Sequence, residues 1–314
     1  MTGSPARTSP WWPTSPCTTA CAGDPAPQVP PAVRRRRWVR LAGSLCGAAA
    51  AALRAPLAGV RGRHRLLVCT AARVLTSAGV RVEVHPSPVG WPRTGPGHLV
   101  VANHVSWLDS LALLTVVPAV PVAKREVAAL PVLGSLARRA GTVLLDRARL
   151  RALPGTVAEV TGLLRSGRSV TVHPEGTTSC GVELGRFRPA LFQAAVDAGA
   201  AVCPVAIRYR VADGSPTAVA GHLDGDSLGR TLARVVTARG LVVEVHLLPA
   251  LDPAGADRRS LAALAEYAVA AVTERKDLPA PHHSQARGGP LQAGRREPAP
   301  AARHELLTGA PRAA

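Results

Sequence analysis

Between Val80 and Leu248 short apolar runs alternate with stretches of helical period, and this alternation restricts the chain to an α/β domain whose sheet is covered on both faces. VRVEV (80–84) alternates like a strand. HLVVA (98–102), VPVA (120–123), TVLLD (142–146), SVTV (169–172), AVCPVAI (201–207) and LVVEVHLL (241–248) read as further strands. Leu108 to Val117 is helical, a second helix is predicted from Pro131 to just before Gly141, and a third runs to about Arg165. PALFQAAVDAG (189–199) carries Pro189 at a first helical position. Aromatic residues make up only 3% of the chain, so the core must come from Ala, Val and Leu. A length of 314 residues suggests two domains as a prior, but the pattern predicts one, over residues 81–275.

The flanks differ from this domain. Residues 1–33 and 276–314 are Pro-, Ser-, Thr- and Ala-rich without a period, and disordered tails are expected there. Residues 34–80 carry ten arginines and no acid, more than half of the formal net charge of +18. Their partner is anionic, a membrane surface or a nucleic acid. The uncharged run Leu41–Leu53 has 13 residues, short of the roughly 20 that span a bilayer. Its basic start resembles a signal peptide, yet it begins too far along the chain for cleavage to be expected. In RHRLLVCTAARVLTSAG, Leu67, Ala71, Val74, Leu75 and Ala78 share one helical face, with Arg65, Arg73 and Ser77 on others. Two readings stand: interfacial helices on an anionic membrane, or a helix pair packed on the domain. The low aromatic content and the apolar interleaving argue against nucleic acid as a partner. The cysteines (17, 21, 46, 69, 180 and 203) show no framework spacing, and Cys17 and Cys21 have no nearby His pair, so a reduced chain without a metal is expected.

Three segments carry chemistry. In VANHVSWLDS, His104 and Asp109 are about 140° apart on a single helix at roughly 100° per residue, and would not meet. They meet if His104 lies in the loop after the 98–102 strand and Asp109 lies on the first helical turn. Ser-x-x-Asp fits a capping box with Ser106 at the cap. A carboxylate on one imidazole nitrogen leaves the other free to take a proton from a hydroxyl. Equally, Asp109 caps the helix and His104 is a satisfied loop histidine. In VTVHPEGTTSCG, Pro174-Glu175-Gly176 forces a turn after a strand. Gly176 admits an anion close to backbone amides, and Glu175, Thr177, Thr178 and Ser179 offer hydrogen-bonding groups. Arg186 and Arg188 precede the Pro189 helix, whose amino end is an anion site; the alternative is an ordinary polar loop. In GTVLLDR, Arg147 stands at a strand's carboxyl end, where α/β sheets place ligands, although a surface ion pair explains it as well.

Together NHVSWLD, GTVLLDR, HPEGTTS and VCPVAI resemble, in order and spacing, the four blocks of the glycerolipid acyltransferases, the family of bacterial 1-acylglycerol-3-phosphate acyltransferase. The resemblance covers about residues 81–250 and implies one domain with a mixed sheet covered by helices. It implies His104 as general base and Asp109 as the group that orients it and stabilises its positive charge. The acceptor hydroxyl then attacks the acyl thioester directly, so neither Ser179 nor Cys180 is a nucleophile. No cofactor is implied, only acyl-CoA or acyl-ACP (acyl carrier protein) as co-substrate and a lysophospholipid acceptor. By the same resemblance Arg147, Glu175 and Gly176 hold the acceptor's glycerol phosphate; the reduced cysteines and the basic flank add the expectation of the cytoplasmic face of the cell membrane. Two departures stand out: His173 replaces the usual Phe and Thr178 the usual Arg. Losing that arginine removes a bidentate phosphate contact. Either Arg186 or Arg188 replaces it, or the acceptor is another lysolipid, since threonine here resembles the branch acylating lyso-ornithine lipids. A thioesterase, with the same pair activating water, and a non-catalytic lipid-binding relative are further alternatives; the intact His104 and Asp109 argue against the second.

Overall fold

Strand β2 (Leu99–Ala102) is buried at all four positions. Its side chains alternate between two apolar clusters, Val100 and Ala102 in one, Leu99 and Val101 in the other. Such a strand must lie inside a sheet covered on both sides. In a computed structural model, which describes residues 17, 21, 26–54, 59–92, 94–129, 134, 137, 138, 141–146, 149–223 and 226–273, that sheet has seven strands. The others are β1 (Arg81–His85), β3 (Ala119–Lys124), β4 (Val143–Leu145), β5 (Ser169–Val172), β6 (Val202–Arg210) and β7 (Val242–Leu247). Their order is β1-β7-β6-β2-β5-β3-β4. All neighbours run parallel except β6 and β7, so the sheet is mixed, as the resemblance implies.

The first cluster lies under helices α1 (Pro31–Arg54), α2 (Val60–Ala78) and α3 (Trp107–Val116), and under α6 below. The second lies under α4 (Leu153–Arg165) and α5 (Phe192–Ala198), and under α7 below. Phe192, one of the chain's two phenylalanines, is fully buried there, and a burial of this kind contributes about 1.5–3 kcal/mol. Two helices stand where the sequence reading places no element, α6 (Leu228–Thr237) and α7 (Arg258–Thr273). Strand β6 also runs three residues past its expected end at Ile207. Arg210 at its tip donates to Glu244 of β7 at 2.7 Å and to Glu83 of β1, fastening the three strands together. The helix expected after Pro131 lies largely outside the described residues, as do most of both tails.

The expected disordered stretch 1–33 needs correction at its end. Gln28 pairs with Ala238, the Val29 N–H donates to the Thr237 carbonyl at 2.9 Å, and α1 already starts at Pro31. Of the two readings of the basic helices, the structure shows the helix pair packed on the domain. Leu41, Leu75 and Ala78 are buried in the domain core, and the Ser44 and Ser77 hydroxyls bond at 2.8 Å between the helices. Yet Trp38, Val39, Leu45 and Leu53 remain exposed. Arg37 is turned inward, giving Nη1 to the carbonyls of Val236 at 2.9 Å and Ala238 at 2.7 Å, so it is an anchor rather than part of the outward basic face. Gly79 makes room for it: its φ is +79°, and a Cβ there would stand 2.1 Å from the Arg37 guanidinium. Among the described residues no helix is long and apolar enough to cross a membrane.

Candidate active site

The chain leaves β2 at Ala102, and Asn103 fixes the exit. Its Oδ1 accepts from the Ile207 N–H at 2.7 Å and its Nδ2 donates to the Ile207 carbonyl at 3.0 Å, clamping the ends of β2 and β6. His104 then occupies the loop, Ser106 caps α3, and Asp109 sits on its first turn, with both bonds of the capping box formed. One oxygen does two jobs. Asp109 Oδ2 accepts from the Val105 N–H at 2.7 Å, the Ser106 N–H at 2.8 Å and His104 Nδ1 at 3.0 Å. Oδ1 accepts from the Tyr209 hydroxyl. Capping and pairing, the two alternatives for these residues, are thus one arrangement. All four donors converge on a fully buried carboxylate, which fixes its position. With Nδ1 held, Nε2 is the nitrogen left for a substrate, and 18% of the His104 side chain reaches the surface.

The second segment packs against this loop. His173 stacks on His104 with ring centroids 4.1 Å apart and 15° between planes. An imidazole therefore fills the place of the family's usual Phe by supplying a flat ring. Its Nδ1 lies 3.2 Å and 3.1 Å from the carbonyls of Ala102 and Asn103, which assigns the proton to that nitrogen, and Nε2 meets the Ser110 hydroxyl at 3.4 Å. Burial lowers the His173 pKa to about 3, with His104 adding to the effect. A histidine held neutral in the fold contributes stability that is present above its unfolded pKa of about 6.5 and is lost as pH falls toward 3. His173→Phe should remove that loss, so the variant's melting temperature falls less between pH 6.5 and 5 than the parent's, by an amount matching about 1.5 kcal/mol in calorimetry.

Glu175, expected to hold the acceptor, here holds the His104 loop. It is only 4% exposed, and both of its oxygens are engaged by backbone. Oε1 accepts from the His104 N–H at 2.6 Å and Oε2 from the Gly185 N–H at 2.8 Å. Burial pushes its pKa up to about 8, while the two N–H bonds pull the other way. The Ser179 N–H adds a third strut, to the His104 carbonyl at 2.9 Å. Gly176 takes φ +75° in the turn, as its place after Pro-Glu predicts. Thr177 is half-buried, and the Thr178 hydroxyl donates to the His222 carbonyl at 2.5 Å. Arg186 and Arg188 are exposed on either side of the buried Phe187, and no described contact joins them to the His104–Asp109 pair. Arg147 lies outside the described residues; its neighbour Asp146 pairs with Arg125 at 3.2 Å.

Three residues escape the sequence reading. Tyr209 is signalled only by being a rare aromatic at the end of an alternating strand. Asn103 opens the NHVSWLD block but its clamping role is not signalled, and His222 carries no local signal. The His222 N–H donates to the Val105 carbonyl at 3.0 Å, and burial lowers its pKa, with Lys124, Arg234 and His104 contributing.

A family model described as Acyltransferase matches residues 81–208. The chain is 36% identical over 214 residues to a 1-acyl-sn-glycerol-3-phosphate acyltransferase of Neisseria gonorrhoeae, covering 68% of this chain and 82% of that protein. It is 40% identical over 173 residues to a lyso-ornithine lipid O-acyltransferase of Pseudomonas aeruginosa, covering 54% of this chain and 66% of the other. The crystal structure of the 1-acyl-sn-glycerophosphate acyltransferase PlsC from Thermotoga maritima superposes with a TM-score of 0.58 over 76% of this chain and 92% of that one, at 22% identity, and so shares the fold.

Proposed function

Since the chain belongs to the acyltransferase family, we propose that it moves a fatty acyl group from acyl-CoA or acyl-ACP to the free hydroxyl of a lysophospholipid, 1-acylglycerol-3-phosphate, giving phosphatidic acid. His104 Nε2 takes the hydroxyl proton as the oxygen attacks the thioester carbonyl. The tetrahedral intermediate expels the thiolate, and the imidazolium returns the proton to that sulfur. Asp109 stabilises the imidazolium in between, and its Tyr209 and backbone bonds keep it aimed at Nδ1. The observation that carries this reading is the 3.0 Å contact between the loop imidazole and a fully buried carboxylate. Incubating the purified chain with a labelled acyl thioester and a panel of lysolipids, and identifying products by mass, tests it. Free fatty acid as the sole product would mean hydrolysis instead.

A second acceptor has its own support. Thr178 stands where the family has Arg, its hydroxyl is held by a backbone carbonyl, and the Pseudomonas relative acylates lyso-ornithine lipid by name. The panel therefore includes lyso-ornithine lipid beside lysophosphatidate.

The same proposal puts the reaction at the cytoplasmic face of the membrane, and the arginines that α1 exposes beside Trp38, Val39 and Leu45 support contact with an anionic bilayer. Replacing Arg34, Arg35 and Arg36 by Ser should weaken sedimentation with anionic vesicles by on the order of 10²-fold, at about 1 kcal/mol each. Arg37→Ser should instead lower the melting temperature, because its partners are carbonyls of the domain.

A further inference from the structure

Three of the six cysteines converge. Cys17 and Cys21 come from the amino-terminal stretch, and Cys180 from the segment just after the Pro-Glu-Gly turn, 163 residues beyond Cys17. Their sulfurs all lie within 4.8 Å of one another. Cys17 and Cys180 are each 3% exposed and Cys21 is half-buried. Leu223, Val182 and Ala218 wall the group with apolar surface. The Cys180 N–H donates to Cys17 Sγ at 3.2 Å, the kind of backbone donor that supports a thiolate bound to a metal.

We propose that Cys17, Cys21 and Cys180 form a site for one thiophilic metal ion, for which Zn²⁺ is the probe. Zinc–thiolate bonds of about 2.3 Å at tetrahedral angles hold ligand sulfurs about 3.8 Å apart, which falls inside the observed envelope. A disulfide needs two sulfurs at about 2.05 Å and would strand the third thiol. Each coordinating thiol releases its proton, and the ion offsets charges that would otherwise be costly beneath an apolar wall. The expectation of a chain without metal rests on local spacing, where Cys17 and Cys21 have no partner pair; the fold brings the third sulfur from the far side of the sequence. Cys180 directly follows Ser179, whose N–H holds the His104 carbonyl. The ion therefore fastens Cys17 and Cys21 to the segment that braces the loop of the catalytic base.

The full-length chain, reduced and stripped with a chelator, is titrated with Zn²⁺, and bound metal is counted by elemental mass spectrometry. One ion per chain is expected for the parent and for Cys46→Ser and Cys69→Ser, whose thiols are exposed on α1 and α2. Cys17→Ser and Cys180→Ser should each weaken binding by more than about 100-fold, since loss of even an outer-shell partner costs 10–100-fold. Co²⁺ loaded into the parent should show thiolate-to-cobalt charge transfer, a readout independent of how the variants fold. The proposal fails if the parent takes up no stoichiometric Zn²⁺ or shows no such band. It also fails if Cys17→Ser and Cys180→Ser bind like the parent. Finding a Cys17–Cys180 disulfide in the purified chain, with no metal uptake after reduction, would replace the metal site by a redox pair.

Discussion

His104→Ala should lower the rate of acyl transfer by about 10²- to 10⁴-fold while leaving the fold in place. The second half of that expectation follows from what Asp109 keeps. Without the imidazole it still accepts from Val105, Ser106 and Tyr209, so no buried charge is left uncompensated. Asp109→Asn is a poorer probe, because an amide NH₂ in place of Oδ2 would face backbone N–H groups that can only donate, and in place of Oδ1 it would reverse the bond to the Tyr209 hydroxyl, so the helix cap is disturbed with the pair. Steady-state kinetics beside a thermal melt separates the two variants: activity lost at unchanged stability for His104→Ala, both lost for Asp109→Asn. A His104→Ala chain that keeps most of its activity would remove the general base from the mechanism.

Glu175→Gln should reduce kcat by about 10²-fold with the acceptor KM near the parent's. Both carboxylate oxygens accept N–H bonds, one from His104 itself and one from Gly185. A glutamine replaces one of those acceptors with a donor. One buried N–H then loses its partner, at a cost of about 1–3 kcal/mol, and the His104 loop shifts. A displacement of about 1 Å in a reacting group is enough for a loss of this size. If Glu175 instead held the acceptor, KM would rise and kcat would change less. Kinetics with the lysolipid varied at saturating thioester therefore distinguishes a positioning residue from a binding one.

These two residues also show what is legible in the sequence. The His104–Asp109 arrangement could be read because it is local: a strand end, a loop and a capping box lie within a few positions, and helix geometry decides which groups meet. The inner strands β2, β5 and β6 could be read because burial on both faces leaves apolar runs. Glu175 was picked out, but its partner lies 71 residues away, and nothing in Pro-Glu-Gly shows which way the carboxylate turns. Tyr209 reaches Asp109 across 100 residues through the pairing of β6 with β2, and strand register is invisible in single runs. Arg37 looked like one of four equivalent bases, and only the neighbouring carbonyls of Val236 and Ala238 set it apart.

The pairing of β1 with β7 sets an order of assembly. The first strand of the sheet hydrogen-bonds to the last. The tethers that seat α1, from Val29 and Arg37, go to residues 236–238. A chain made from its amino end presents α1 and α2 long before those partners exist. For most of synthesis the arginine-rich helices have only each other and whatever surface lies near the ribosome. On the membrane reading proposed above, the bilayer engages them before the domain does, and the sheet then closes on helices already lying there.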